Sequence, residues 1–136
     1  MDALRSALLE LHNTSKPIEN RFDAALQAVN GLGKGILSAV LLVIYPSEFG
    51  VWNRISEASL KLLDIWPEFD QGASSGKRYK AINDVLHQLK DRLGLDLWVL
   101  DSLLWAVTQG HWTKNFSTRL AIYLTLPFTP TPWSSN

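Results

Sequence analysis

The chain is 136 residues and 15.3 kDa, enough for one domain that buries roughly two thirds of its unfolded surface without staples. It has no cysteine, which excludes a disulfide framework, a thiolate zinc site, an iron-sulfur cluster and a cysteine nucleophile. Thirteen basic side chains cancel thirteen acidic ones, so a nucleic-acid role has to rest on a local patch and not on net charge.

Apolar spacings of three and four recur along the chain and strict alternation is scarce, which predicts an all-α, compact multi-helix domain. Leu4, Leu8 and Leu11 line a first helix that fades at Asn13-Thr14-Ser15. Pro17 suits the start of a second helix, with Phe22, Leu26 and Val29 on one face. Three glycines in five positions, Gly31, Gly33 and Gly35, predict a turn, and a buried helix from Ile36 to Ile44 follows. The longest apolar run, Gly35 to Tyr45, is about half what a hydrocarbon core of roughly 30 Å demands, so no membrane partner is expected.

Pro46 closes that helix, and Asn53 stands where an N-cap begins a helix bearing Ile55, Ala58, Leu62 and Leu63 and ending at Trp66-Pro67. Asp70 to Gly76 reads as an exposed loop. Tyr79, Ile82, Val85, Leu86, Leu89 and Leu93 make the cleanest amphipathic helix, stopped by Gly94, and Asp96 caps the next. That helix, Leu97 to Val107, is apolar nearly all round and is expected at the centre, with Trp98 and Trp105 in the core. A short helix over Phe116 to Leu124 and an irregular Pro/Ser/Thr-rich tail from 127 to 136 complete a single helical domain spanning 1–126. The amino terminus carries Asp2 and Glu10 and shows no secretory pattern, so the expected compartment is the cytoplasm.

The segment from Val29 to Asn53 carries the most chemistry. Two helices around a Gly-x-Gly-x-Gly turn form a helix-hairpin-helix pattern, whose exposed backbone N–H groups and helix dipole hold a phosphate without spending net charge. Lys34 adds a cation there. A glycine turn between helices also serves purely structural roles.

Val29-Asn30-Gly31-Leu32-Gly33, Ser38-Ala39 and Tyr45 to Asn53 together resemble the helix-hairpin-helix DNA glycosylase superfamily, over roughly Arg21 to Val107. The resemblance implies a DNA-binding fold. Its catalytic aspartate position holds Asn53, and the lysine of bifunctional members falls at Gly35, one residue from Lys34. An alternative register takes Gly33-Lys34-Gly35 as the hairpin pair. A neutral amide neither stabilises a cationic sugar nor activates a nucleophile, so no catalytic residue is assigned and glycosylase activity is not expected. Gly50 to Asn53 with Leu95 to Asp101 is also similar to small prokaryotic domains associated with DNA modification and defence.

Six tryptophans, at 52, 66, 98, 105, 112 and 133, exceed what a small core needs. Trp52, beside Asn53, is the candidate for stacking on a base, while exposed tryptophans also suit a protein partner or self-association. Lys77, Arg78 and Lys80 form the densest basic cluster, read either as a solvated helix face or as phosphate contacts. The expected DNA-binding set is therefore Gly31, Gly33, Lys34, Gly35, Trp52, Asn53, Lys77, Arg78 and Lys80. The histidines at 12, 87 and 111 lack metal-ligand spacing, and no cofactor is implied. Asp101, flanked by Leu97, Trp98 and Leu104, has to be paired or lose its charge.

Overall fold

Helices alone form the regular structure of the described residues, 2–110, in the computed structural model: α1 (Asp2–His12), α2 (Ile18–Ala28), α3 (Lys34–Ile44), α4 (Arg54–Leu62), α5 (Ser75–Leu93) and α6 (Leu97–Thr108). The all-α expectation holds for these residues. The expected helix over 116–124, the tail from 127, and His111, Trp112 and Trp133 lie outside them. No helix among the described residues is long and apolar enough to cross a membrane.

Local sequence sets most helix ends. Asn53, Ser74 and Asp96 each accept a hydrogen bond from a first-turn N–H, of Ser56, Lys77 and Val99, at the starts of α4, α5 and α6. Gly94 ends α5 in the left-handed conformation, φ +67°. α2 and α3 have no side-chain cap, being preceded by Pro17 and Gly33, so the N–H groups of the first turn of α3 are left unpaired by the helix.

The core forms where α2 packs against α1 and α5, and α4 against α6. Phe22 of α2 stacks on Tyr79 of α5 with ring centroids 4.5 Å apart, and Trp52 and Phe49 extend the cluster. Arg21 is buried beside it. Its guanidinium donates to the Leu11 carbonyl in the last turn of α1, where the helix dipole favours a cation, and lies over the rings of Tyr45 and Phe49.

The irregular segment 46–53 crosses this core, and side chains satisfy its backbone. Tyr79, Asn83 and His87 recur every four residues along one face of α5. Tyr79 Oη donates to Gly50 O at 2.7 Å, and Asn83 accepts from Gly50 N–H and donates to Glu48 O. His87 Nε2 donates to the same Glu48 carbonyl at 2.6 Å. Burial pushes the Tyr79 phenol up, so it stays a neutral donor.

Several expectations are corrected. Ala7 and Leu11, not Leu4 and Leu8, are the buried residues of α1. Gly35 lies inside α3, so the turn closes at Gly33. α3 is amphipathic, with Ile36 and Val43 exposed, and α6 buries Leu97, Leu100, Leu104 and Val107 while exposing Trp98 and Trp105 by about half. Apolar composition does not say how many neighbours a helix meets. Gly76 belongs to α5 and not to the preceding loop: a Cβ there would sit 1.9 Å from the Glu19 carbonyl oxygen, and its N–H donates to Asp23 Oδ1 at 2.7 Å. Gly76→Ala is expected to cost about 3 kcal/mol, read by denaturant unfolding, because backbone blocks the new methyl.

Candidate functional site

Ser38 joins α3 to the segment before α4. Its hydroxyl is fully buried, accepts from Trp52 N–H at 2.9 Å and donates to the Lys34 carbonyl at 2.7 Å. Gly35 completes the approach, since a Cβ there would lie 3.4 Å from Asn53 Cβ. The two contacts bring the starts of α3 and α4 side by side.

Between those starts lies an open cleft of about 620 Å³, lined by Gly33, Lys34, Gly35, Asn53, Arg54 and Glu57, with Ala58 and Lys61 beyond. Both helix dipoles present their positive ends to it. Gly31, at φ +84°, and Gly33 have open space around them, and the glycine turn is exposed to solvent. The N–H groups of Lys34, Gly35 and Ile36 precede the first intrahelical bond of α3, from Leu37 N–H to Gly33 O. Asn53 contributes its side-chain oxygen to Ser56 N–H at 2.9 Å, while Ser56 Oγ accepts from Asn53 N–H, a closed capping box.

Charge is gathered around one carboxylate. Glu57 Oε2 is 3.5 Å from Lys34 Nζ, and Glu57 Oε1 is 3.0 Å from Lys61 Nζ. Burial pushes the Glu57 carboxyl up, but the Lys61 hydrogen bond, the charges of Lys34 and Lys61 and the nearby Trp52 indole outweigh it and hold the carboxyl below its ordinary value. The Trp52 indole nitrogen is buried and falls short of hydrogen-bonding geometry with any acceptor among the described residues. Lys34 Nζ also stands 4.3 Å from the Trp52 ring centroid.

The expected DNA-binding residues divide into two places. Gly33, Lys34, Gly35 and Asn53 line the cleft, with Gly31 in the turn leading to it. Trp52 is 4 % exposed and lies between Phe22 and the Lys34 ammonium, so it is a core ring and not a stacking platform. Lys77, Arg78 and Lys80 follow Gly76, which rests on Glu19 and Asp23 in the first half of α2. The glycine turn leaves the other end of α2, about 14 Å further along its axis. There Asp23 already occupies the Gly76 N–H, Lys80 pairs with Asp84 at 3.3 Å and Arg78 lies over Phe69. Arg54, Glu57 and Lys61 were not part of the sequence set. The Glu57–Lys61 spacing of four is a signal, but only the fold brings Lys34 to it.

A second cleft, of about 610 Å³, runs along the outer side of α3 toward Trp98 and Asp101. It is almost wholly apolar, and burial pushes the Asp101 carboxyl up with no cation beside it among the described residues. Among the described residues no cluster of three or more His, Asp or Glu is placed to hold a metal.

Two consequences are measurable. Ser38→Ala strands the buried Trp52 N–H and is expected to lower unfolding free energy by about 2 kcal/mol. Because folding depresses the Glu57 pKa, its contribution is present above the ordinary value of 4.5 and is lost as pH falls through the folded value. Glu57→Gln is therefore expected to flatten the acid limb of a stability–pH profile below that value and to destabilise at neutral pH. Compared with protein-family models, curated proteins and solved structures, the chain matches none.

Proposed function

We propose that the protein binds the phosphodiester backbone of DNA at the cleft between α3 and α4, as a module that holds DNA without cleaving its glycosidic bonds. One observation carries this: two helix starts and the cations Lys34 and Lys61 converge on a single carboxylate, Glu57, which takes the place of an anion, in a cleft that Arg54 also lines. A phosphate meets the same donors by displacing that side chain. Lys34, Gly33 and Gly35 are its first contacts, and the exposed Arg54 flanks the path.

The helix-hairpin-helix resemblance supports the same place on the chain, and the separate similarity of Gly50 to Asn53 with Leu95 to Asp101 to small prokaryotic domains suggests a DNA-modification or defence setting for the module. In the structure α2 makes only light contact with α3 beside its packing on α1 and α5, so the support comes from the turn and the start of α3 and not from a tightly crossed pair. The Lys34 side chain, placed between a carboxylate and a ring face and partly open to solvent, is unlike the desolvated amine that attacks an aldehyde carbon. Asn53 spends its side-chain oxygen on a helix start. Both arrangements fit binding without bond cleavage.

Titration of labelled duplex, mismatched and abasic DNA tests the proposal. Binding is expected at about 50 mM salt and weakens steeply as salt rises. Lys34→Ala is expected to reduce affinity about tenfold for every sequence and to lower the salt slope by about one. Glu57→Gln is expected to bind more tightly than the parent, since it removes the competing charge. Absence of binding at low salt, or weaker binding in Glu57→Gln, overturns the reading. Borohydride trapping on abasic DNA is expected to give no covalent adduct.

A further inference from the structure

The two carboxylate oxygens of Glu57 are each engaged by one lysine: Oε1 lies 3.0 Å from Lys61 Nζ and Oε2 lies 3.5 Å from Lys34 Nζ. A third donor faces the same place. The Trp52 indole is among the groups that hold the Glu57 carboxyl low, so its N–H edge is turned toward that carboxylate, while Lys34 occupies the ring face. Yet Trp52 is only 4 % exposed, and its Nε1 has no acceptor within hydrogen-bonding geometry among the described residues. A buried N–H in that state costs free energy, and an anion with a third oxygen removes the cost.

Charge points to the same kind of anion. The cleft lining sets Lys34, Arg54 and Lys61 against Glu57 alone, an excess of two positive charges. An internal DNA phosphodiester carries one negative charge and two unbridged oxygens. A phosphate monoester, the group at a phosphorylated strand end, carries about 1.5 to 2 negative charges near neutral pH and three such oxygens. The first-turn N–H groups of Lys34, Gly35 and Ile36 add donors at the same mouth without adding charge. Because the indole nitrogen lies beneath the surface, a group that ends a strand reaches it more readily than one flanked by sugars on both sides.

We propose that the cleft between α3 and α4 takes a terminal phosphate monoester of DNA in preference to an internal phosphodiester, its three oxygens shared among Lys34, Lys61 and the Trp52 indole N–H. This rests on the reading of the cleft as a DNA phosphate site and names the form of phosphate that fits it best. Glu57 is the internal stand-in, a two-oxygen monoanion that holds both lysines until the three-oxygen group displaces it. Trp52 then has two roles, its ring packed in the core beside Phe22 and its N–H edge serving the ligand. The same chemistry occurs at a 5′ end, at a 3′ end and in a free phosphate monoester.

One blunt duplex of fixed sequence, prepared with 5′-phosphate, 3′-phosphate or hydroxyl ends, tests this with the full-length chain at about 50 mM salt. At least one phosphorylated form is expected to bind about tenfold more tightly than the hydroxyl form, the effect of one added charge-assisted hydrogen bond, and comparing the two identifies the end that is taken. Trp52→Phe is expected to bring that ratio close to one. In isotope-labelled parent protein, methyl phosphate is expected to displace the Trp52 indole N–H resonance and dimethyl phosphate to leave it in place, a readout that stands even where Trp52→Phe fails to fold. Equal binding of the three duplexes would overturn the preference for DNA ends and leave the DNA reading intact, and a resonance that still moves with methyl phosphate would then mark a site for a free monoester. An indole resonance unmoved by methyl phosphate, or moved equally by dimethyl phosphate, would overturn the part given to Trp52. Absence of binding by all three duplexes would overturn the DNA reading itself and this inference with it.

Discussion

The irregular crossing from Pro46 to Asn53 is the constraint on which the rest of the architecture depends. Backbone that is neither helix nor strand enters a protein interior only if other groups take up its N–H and C=O. Here α5 and α3 supply them. Tyr79 and Asn83 hold both polar groups of Gly50, Asn83 and His87 share the Glu48 carbonyl, and Ser38 takes the Trp52 N–H. Because these anchors come from two helices, fixing the crossing also fixes α3 relative to α5, and the start of α4 relative to both.

The cleft follows from that arrangement. Ser38 and Gly35 draw the crossing so close to α3 that Asn53 begins α4 beside the first turn of its neighbour. Two positive helix ends then share one space, and Glu57, a single turn into α4, meets Lys34 from the other helix. Such surface pairs add little to stability singly, so the weight of the arrangement lies in how it disposes charge. The neutral sum of the composition conceals a concentrated region of donors.

Much of this order is legible in the residues. The helix starts at Asn53 and Asp96 and the stop at Gly94 follow from local chemistry, which a short window of sequence contains. The capping role of Asn53 is equally local. What the sequence conceals is partnership. Trp52 and Trp98 exchange their expected settings because periodicity registers an apolar ring and not what faces it. Gly76 looks like a loop residue until the Glu19 carbonyl is seen against it. Tyr79, Asn83 and His87 read as an ordinary helix face, and their task of holding a distant crossing has no local signature. Arg54 and Lys61 likewise gain meaning only when folding brings Lys34 across to Glu57.

The ammonium of Lys34 resting on the Trp52 ring gives the molecule a built-in optical reporter. An indole's emission responds to charge placed over its face, and this ring is shielded from water, so its environment changes chiefly when that ammonium moves. Whatever draws Lys34 outward alters the light the ring emits, without any label attached to protein or ligand.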